Sequence, residues 1–366
     1  MNFQEQFNQA IKSNDIKNVN LLLNHPKVNP AADDNWAIIN ASKNGHYHIV
    51  KLLIVYNRVN PAADDNWAIR YASKNGHYDI VKLLLNDNRV NPADFFNSSI
   101  VYASMGGHYD IVKLLLNDNR VNPADLNNSS IVYASKEGHY DIVKLLLNDN
   151  RVNPASDYNW AIRYASIEGH TDIVKLLLND NRVNPADLSN WAISDASKNG
   201  HYDIVKLLLN DNRVNPADND NSAIIEASKN GHYDIVKLLI NDNRVNPADD
   251  DNLAIRHSSC EGHTDIVKLL LNDHRVDPAD FKNWAIIYAS RLGHYNIVKL
   301  LLNDHRVNPA DYDNSVIRYA SEEGHYDIVN LLWQDKRVKN TLKKDNEELY
   351  NELVKKDKIK EKVESF

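Results

Sequence analysis

Residues 76–91 read Gly-His-Tyr-Asp-Ile-Val-Lys-Leu-Leu-Leu-Asn-Asp-Asn-Arg-Val-Asn, and nearly the same stretch returns every 31 residues along the chain. Ten Gly-His pairs keep this interval, from Gly45-His46 to Gly324-His325, and ten of the eleven prolines keep it too. A period this strict predicts a solenoid, in which one small unit is copied and each copy packs on its neighbours. The repeat therefore replaces the two or three domains that a chain of 366 residues would ordinarily suggest.

The first half of one repeat predicts a short helix. Asn66 is expected to be its N-cap, because an Asn side chain accepts a hydrogen bond from a free N–H of the first turn. Ile69, Ala72 and Ser73 then share one face at helical spacing, and the last two are small enough to admit a neighbouring helix. Gly76 is expected to end this first helix in the left-handed conformation.

The second half predicts a more deeply buried helix and an extended return. Ile80, Leu83 and Leu84 form an apolar stripe behind the acidic first turn. The helix is expected to end near Asn88, at a position where Asn or His recurs and where a positive φ is tolerated. Residues 89–92, Arg-Val-Asn-Pro, then predict an extended loop with one apolar anchor.

The two helical segments together resemble the ankyrin-repeat family. Trp67-Ala68-Ile69-Arg70-Tyr71-Ala72-Ser73 lies where ankyrin repeats carry Thr-Pro-Leu-His-x-Ala-Ala, and residues 76–85 match the Gly-His-x-x-Ile-Val-x-Leu-Leu-Leu segment. The match repeats over residues 35–333. The resemblance implies an all-α, curved and elongated solenoid of stacked helix-turn-helix units joined by short extended loops.

This chain departs from the family pattern in two ways. The Thr-Pro start is replaced by Asn-Trp or Asn-Ser, and the period is two residues shorter than the usual 33 of the family. The projecting hairpin of the family is therefore expected to shrink to a tighter turn. Short repeats with an Arg-Val-Asn-Pro loop resemble those that giant DNA viruses of amoebae encode.

The ends of the chain predict caps. Residues 1–34 are expected to form an N-terminal capping repeat, because Asn14 and Asp15 replace the Gly-His pair and the first helix is polar. Residues 35–340 make ten repeats of 31 residues, and residues 341–366 a charged C-terminal capping helix or tail. A capping box at Asp345-x-x-Glu348 is expected to start this helix. Its narrow apolar stripe would comprise Leu349, Leu353, Ile359 and Val363. The alternative is a docking tail for another protein.

The charge and the cysteine content limit the partners and the cellular environment that the sequence predicts. The net charge is −8, although residues 336–366 carry ten Lys/Arg against seven Asp/Glu. The rest of the chain is acidic and should repel phosphate backbones, which argues against nucleic acid as a partner. One cysteine, the lack of a signal-peptide pattern and the lack of a long apolar run predict a soluble cytoplasmic protein with no membrane segment.

The candidate chemical groups favour structural roles. Equivalent histidines of stacked repeats would lie about 8–10 Å apart, too far apart to share one zinc ion. The Asp249–Asp251 run lacks the glycine and distal glutamate of a calcium loop. Cys260 has no positioned base, and the Arg89 and Asp87 positions are expected to form a charge ladder for register and solubility. The sequence thus predicts no enzyme, no cofactor, no metal and no small-molecule substrate.

The residues that differ between repeats point to function. They gather at the loop tip and at both ends of the first helix, whereas the second helix hardly varies. In ankyrin proteins the tips and first helices line the concave face that grips partners. Aromatic and acidic residues alternate at these tips, which is typical of protein-binding surfaces. The candidate partner-binding residues are Phe95, Phe96, Leu126, Tyr158, Leu188, Asp220, Asp250, Phe281 and Tyr312.

The resulting hypothesis is a non-enzymatic scaffold that binds another protein, of basic or mixed charge, through its concave face. Two alternatives stay open. The tip residues could vary because no single partner constrains them, or the chain could be an architectural protein of a virus particle or host skeleton.

Overall fold

The computed structural model describes residues 2–364, with side chains through Asp357. Over this range the chain forms 24 helices and no strand, which confirms the all-α solenoid. Each repeat consists of a first helix, a tight turn, a second helix and a loop. No helix within residues 2–364 is both long enough and apolar enough to cross a bilayer.

The helices alternate in length along the chain. The first helices of the successive units are α1 Phe3–Lys12, α3 Ala32–Lys43, α5 Ala63–Lys74, α7 Asp94–Met105, α9 Asp125–Lys136, α11 Ser156–Ile167, α13 Asp187–Lys198, α15 Asp218–Lys229, α17 Asp249–Cys260, α19 Asp280–Arg291 and α21 Asp311–Glu322. The second helices are α2 Ile16–Leu23, α4 Tyr47–Ile54, α6 Tyr78–Leu85, α8 Tyr109–Leu116, α10 Tyr140–Leu147, α12 Thr171–Leu178, α14 Tyr202–Leu209, α16 Tyr233–Ile240, α18 Thr264–Leu271, α20 Tyr295–Leu302 and α22 Tyr326–Trp333. Helices α23 Lys336–Asp345 and α24 Glu347–Glu364 follow.

The helices divide into two compact units, residues 1–185 and residues 186–366. Within each unit, a first helix packs against its own second helix and against the neighbouring first helices, which approach each other more closely than the second helices do. The small residues Ala72 and Ser73 are fully buried and permit this approach. Ile80, Val81 and Leu84 are the buried residues of the second helix. Leu83, which was expected to belong to the apolar stripe, is only half-buried.

The Gly-His pair joins consecutive repeats. Gly76 has a φ of 79°, which a residue without Cβ adopts freely. His77 Nε2 lies 3.0 Å from the carbonyl oxygen of Lys43 in the preceding repeat and donates a hydrogen bond to it. A Cβ on Gly45 would lie 2.7 Å from His77 Cε1. The pair therefore fixes both the turn and the spacing of the stack, as a structural role of the histidines requires.

The predicted N-cap role of Asn66 is wrong. The residues Asp64, Asp65 and Asn66 have φ of 52°, 51° and 59°, so a left-handed turn precedes the right-handed part of α5. The same turn recurs at every loop tip, for example at Phe95-Phe96-Asn97. The predicted positive φ at Asn88 is also wrong, because α6 ends at Leu85 and Asn88 has no positive φ.

Asn66 instead bridges two repeats. Its Oδ1 accepts a hydrogen bond of 2.9 Å from the N–H of Asn91, and its Nδ2 donates one of 2.5 Å to Asp94 Oδ2. The side chain is buried, so both bonds are shielded from water. Asn97 makes the same two contacts with Asn122 and Asp125. This asparagine ladder satisfies the polar groups of the left-handed turns.

Arg89 contacts the preceding repeat, in addition to forming the predicted ion pair with Asp87. Asp87 accepts two hydrogen bonds from the guanidinium, of 2.9 Å and 2.6 Å. The guanidinium then donates to the carbonyl oxygens of Val59 and Ile54 in the preceding repeat, at 3.0 Å and 2.9 Å. Hydrogen bonds with one charged partner contribute about 1.5–3 kcal/mol each. The loop edge is thus part of the packing between repeats.

The two ends of the described chain use different caps. Asn14 adopts a φ of 55° where later repeats carry glycine, and Asp15 accepts a hydrogen bond from the N–H of Asn18. At the other end, the predicted capping box at Asp345 is wrong. Asn346 caps α24 by accepting from the N–H of Leu349, while Asp345 accepts from Asn314 and continues the asparagine ladder.

The last helices pack on the repeat before them. Residues 336–345 form α23, and Val338 and Leu342 are buried. Leu349 and Leu353 of α24 are buried as predicted. Ile359 and Val363 lie outside the residues whose side chains the structure describes.

Candidate protein-binding surface

The left-handed turns project two side chains per repeat at the loop tip. A non-glycine residue with positive φ carries a cost of about 1–2 kcal/mol, which the asparagine ladder offsets. Because the backbone is bonded inward, the tip side chains point outward. The aromatic tips are about half exposed or more, with values of 51% for Phe95, 62% for Phe96, 65% for Tyr158, 50% for Phe281 and 49% for Tyr312.

A groove of about 650 Å³, the 95–164 groove, lies beside the tips in the first unit. Its floor holds Ser98 and Ser129, at the position where other repeats carry Trp67 or Trp160. Replacing an indole by a hydroxymethyl group opens this space. The walls are Phe95, Tyr102, Met105, Leu126, Tyr133, Trp160 and Tyr164.

A second groove of about 320 Å³, the 281–319 groove, has the same architecture in the second unit. Ser315 lines it together with Trp284 of the preceding repeat, whereas the tryptophan of the first groove, Trp160, belongs to the repeat after Ser129. Trp284 stacks on Tyr288 with ring centroids 3.9 Å apart, which holds both rings in place. The remaining walls are Phe281, Lys282, Ile287, Arg291, Tyr312, Asp313, Arg318 and Tyr319.

The grooves bring together some of the predicted site residues. Phe95 and Leu126 line the first groove, and Phe281 and Tyr312 line the second. The structure places Phe96, Tyr158, Leu188, Asp220 and Asp250 at tips outside both grooves. The sequence analysis missed the tyrosines of the first helices, because they recur in many repeats. The signal that could have found them is the change from Trp to Ser at this position, which occurs at residues 98, 129, 222 and 315.

Phe95 and Phe281 also have a structural role that the sequence did not indicate. The guanidinium carbon of Arg70 lies 4.0 Å from the ring centroid of Trp67 and 4.2 Å from that of Phe95. Arg256 lies 4.0 Å from Phe281 in the same way. Arg70 is only 2% exposed, so the aromatic rings replace much of its water. Removing Phe95 would uncover the buried cation of Arg70, and removing Phe281 would expose the half-buried Arg256 further; either change would also alter a groove.

The titratable groups near this surface carry no catalytic signature. Burial raises the pKa of the Cys260 thiol, which favours the protonated, unreactive form. Burial, followed by the charge of Lys229, lowers the pKa of His257. Within the part of the chain that the structure describes, no three His, Cys, Asp or Glu side chains are placed to hold a metal ion.

A family model matches most of this chain. The family model for ankyrin repeats, which spans three copies, matches residues 7–95, 100–189, 149–220, 193–281 and 275–344. A search of curated proteins finds no match. The matched segments cover most of the chain and include both grooves, and the Gly-His turns and stacked helix pairs lie within them. The chain belongs to the ankyrin-repeat family.

Proposed function

We propose that this chain is a non-enzymatic scaffold that binds another protein through its loop tips and first helices. Ankyrin repeats generally serve as protein-interaction scaffolds. The observation that carries the proposal is the pair of grooves at which half-exposed aromatic rings surround a serine floor. Aromatic anchors in a polar surround contribute much of the affinity at protein interfaces.

The packing of the helices supports the same face. Within each unit the first helices approach each other more closely than the second helices, so the first helices belong on the inside of a bend. The 281–319 groove admits one or two side chains, since a volume of about 320 Å³ lies at the lower end of ligand pockets, and the 95–164 groove, of about 650 Å³, admits more. A partner would therefore insert anchor residues between neighbouring repeats.

A groove-filling variant tests the proposal. Ser129→Trp and Ser315→Trp, made together, introduce the residue that other repeats already carry at this position, so the fold should be unchanged. The indole would occupy the space that a partner needs. We expect affinity capture of the partner from a host lysate to fall at least about tenfold, a loss of about 1.4 kcal/mol.

Tyr140→Ala supplies the control. Tyr140 is 38% exposed on a second helix, so its removal changes a surface of similar character on the opposite side of the repeat. Capture should be unchanged in this variant, and circular dichroism should be unchanged in all of them. Equal capture by the wild type and the double variant would refute the placement of the binding surface.

The cellular setting of the partner is part of the proposal. The resemblance to repeats of giant DNA viruses and the single cysteine support a viral protein that acts in the cytoplasm of its host cell. Fractionation of infected cells tests this setting, since recovery with purified particles instead would favour the architectural role.

A further inference from the structure

The 281–319 groove differs in charge from the tips that precede it in the same unit. Lys282, Arg291 and Arg318 line it, against a single lining carboxylate, Asp313. The preceding tips are acidic and exposed, at Asp220, Asp250 and Asp251. Helix α23 packs against α21 and adds the exposed Lys336, Lys343 and Lys344 to this end of the unit. A basic groove thus interrupts an acidic protein.

The cations of the groove are held against aromatic rings. Lys282 Nζ lies 5.4 Å from the ring centroid of Tyr312, and the guanidinium carbons of Arg291 and Arg318 lie 5.6 Å and 6.0 Å from that of Tyr319. Contacts of this kind keep the side-chain stems on the groove wall and leave the charged ends at its rim. The groove therefore presents ordered positive charge beside an apolar floor.

The nearby carboxylates neutralise these cations only in part. Asp280 accepts a hydrogen bond from Asn252, and Asp311 accepts one from Asn283, so both belong to the asparagine ladder. Arg291 Nε lies 3.4 Å from Glu323 Oε1, with the two side chains 48% and 47% exposed. An exposed pair of this kind contributes about 0–1 kcal/mol. A ligand carboxylate can displace it at small cost.

We propose that the 281–319 groove binds an acidic peptide segment, and this inference rests on the proposed function. An aromatic or long aliphatic side chain of the segment would lie between Phe281, Trp284 and Tyr312. Flanking Asp or Glu residues would pair with Lys282, Arg291 and Arg318, with bidentate geometry at the arginines. Charge complementarity of this kind selects among partners and speeds their association.

The 95–164 groove provides an internal comparison. Its walls carry the same aromatic and serine pattern, but its only charged lining residue is Asp157. Lys74 and Lys136 lie beside it, with Nζ 5.6 Å and 5.4 Å from the ring centroids of Tyr102 and Tyr164, but neither lines the groove. We therefore expect it to select an anchor mainly by shape, with a weaker preference for acidic neighbours. A phosphate chain fits the 281–319 groove less well than a short peptide does, because the chain would extend over the exposed acidic tips.

Peptide selection tests the inference. A random 12-residue peptide library displayed on phage is selected against the full chain and, in parallel, against Lys282→Glu/Arg318→Glu. A third selection uses Lys268→Glu/Lys299→Glu, which changes the net charge equally on exposed lysines of the second helices α18 and α20. We expect the wild type and the third protein to enrich peptides with an aromatic residue beside Asp or Glu.

The binding of one such peptide is then measured by fluorescence anisotropy. We expect Lys282→Glu/Arg318→Glu to weaken it at least tenfold, Lys268→Glu/Lys299→Glu to leave it within twofold, and added salt to weaken it. Failure of the wild type to enrich any peptide with Asp or Glu beside an aromatic residue would overturn the inference. Equal enrichment of acidic peptides by Lys282→Glu/Arg318→Glu would overturn it as well.

Two further arms separate the possible failures. If the selected peptides have no preference for Asp or Glu but bind more weakly to Ser129→Trp/Ser315→Trp than to the wild type, the proposed function stands and the inference fails. If every selected peptide binds this double variant as tightly as it binds the wild type, the proposed function fails too. A labelled single-stranded oligonucleotide that binds more tightly than the acidic peptide, through Lys282 and Arg318, would assign the groove to nucleic acid and also overturn the inference.

Discussion

The glycine of a Gly-His pair can be required for two reasons, its left-handed backbone and the lack of space for a Cβ. Two glycines of this chain distinguish these reasons. Gly293 has a φ of 81°, and a Cβ there would lie 2.7 Å from Cε1 of His325 in the next repeat. Gly324 has a φ of 79°, but a Cβ there would meet nothing within 4 Å. The first position requires both a left-handed backbone and empty space, and the second requires the backbone alone.

This difference predicts unequal costs for the same substitution. Gly324→Ala should lower the free energy of unfolding by about 1–2 kcal/mol, the cost of a left-handed non-glycine residue. Gly293→Ala should cost more, because the imidazole of His325 must also move away from its hydrogen bond to the Arg291 carbonyl oxygen. Urea denaturation followed by circular dichroism measures both. Equal costs would show that the histidine does not fix the spacing.

The left-handed tip makes a second prediction at the residue scale. Phe96 has a φ of 56° and is 62% exposed, so its substitution changes backbone preference more than packing. Phe96→Val should destabilise the chain by about 1 kcal/mol or more, because a β-branched side chain resists positive φ. Phe96→Asn should be neutral or stabilising, because Asn tolerates this region. Urea midpoints of the two variants that coincide would contradict the left-handed turn.

Asn66 shows where reasoning from residue preferences stops. An asparagine before an apolar helical run is ordinarily an N-cap, and this preference gave the wrong role. The ladder was recoverable only from a longer-range pattern, in which Asn66 is followed after 28 residues by Asp94 and Asn97 by Asp125. The 28-residue offset indicates a contact only when the spacing between two stacked repeats is known. The sequence of a single repeat does not specify that spacing.

At the scale of the element, the loop after each second helix stabilises the stack through the Asp–Arg pair. The hydrogen bond from the Arg151 side chain holds the pKa of the Asp149 carboxyl below its ordinary value and raises the pKa of Arg151. A carboxyl with a lowered folded-state pKa contributes stability above its unfolded pKa of about 3.9. That contribution is lost as the pH falls through the folded-state pKa.

Asp149→Asn should therefore destabilise the chain in a pH-dependent way. We expect a loss of about 1–2 kcal/mol near neutral pH, where the charge-assisted bonds to Arg151 are present in the wild type. The difference between variant and wild type should begin to shrink below about pH 4, where the unfolded carboxyl becomes protonated, and should be lost as the pH falls through the lower folded-state pKa of Asp149. Asp141→Asn, on an exposed side chain of α10, is the control. A difference that stays constant with pH would contradict the role of the pair.

The helices themselves were largely predictable, and the tips were not. The stripe of Ile80 and Leu84 and the glycine at residue 76 follow local rules of helix burial and termination, which the structure confirms. The two grooves depend on which side chains of adjacent first helices meet. The exchange of Trp for Ser was visible in the sequence, but its consequence required the distance between repeats.

At the scale of the whole molecule, the repeats share the residues that hold the stack together and differ from one another at the loop tips. The groove in residues 1–185 is neutral apart from Asp157, whereas the groove in residues 186–366 is basic. The acidic composition alone predicted a basic or mixed partner, and this stays a prediction for the acidic tips. The second groove calls for acidic residues. A partner of mixed charge would satisfy both surfaces.

Hydrogen–deuterium exchange of the full chain, with and without a bound selected peptide or captured partner, tests the central claim most directly. We expect protection in the first helices and tips that line the grooves, within residues 94–105, 125–136, 156–167, 280–291 and 311–322. The second helices should exchange at unchanged rates, because their exposed residues lie on the other face. Protection concentrated in α8, α10, α20 and α22, with none at the tips, would contradict the account.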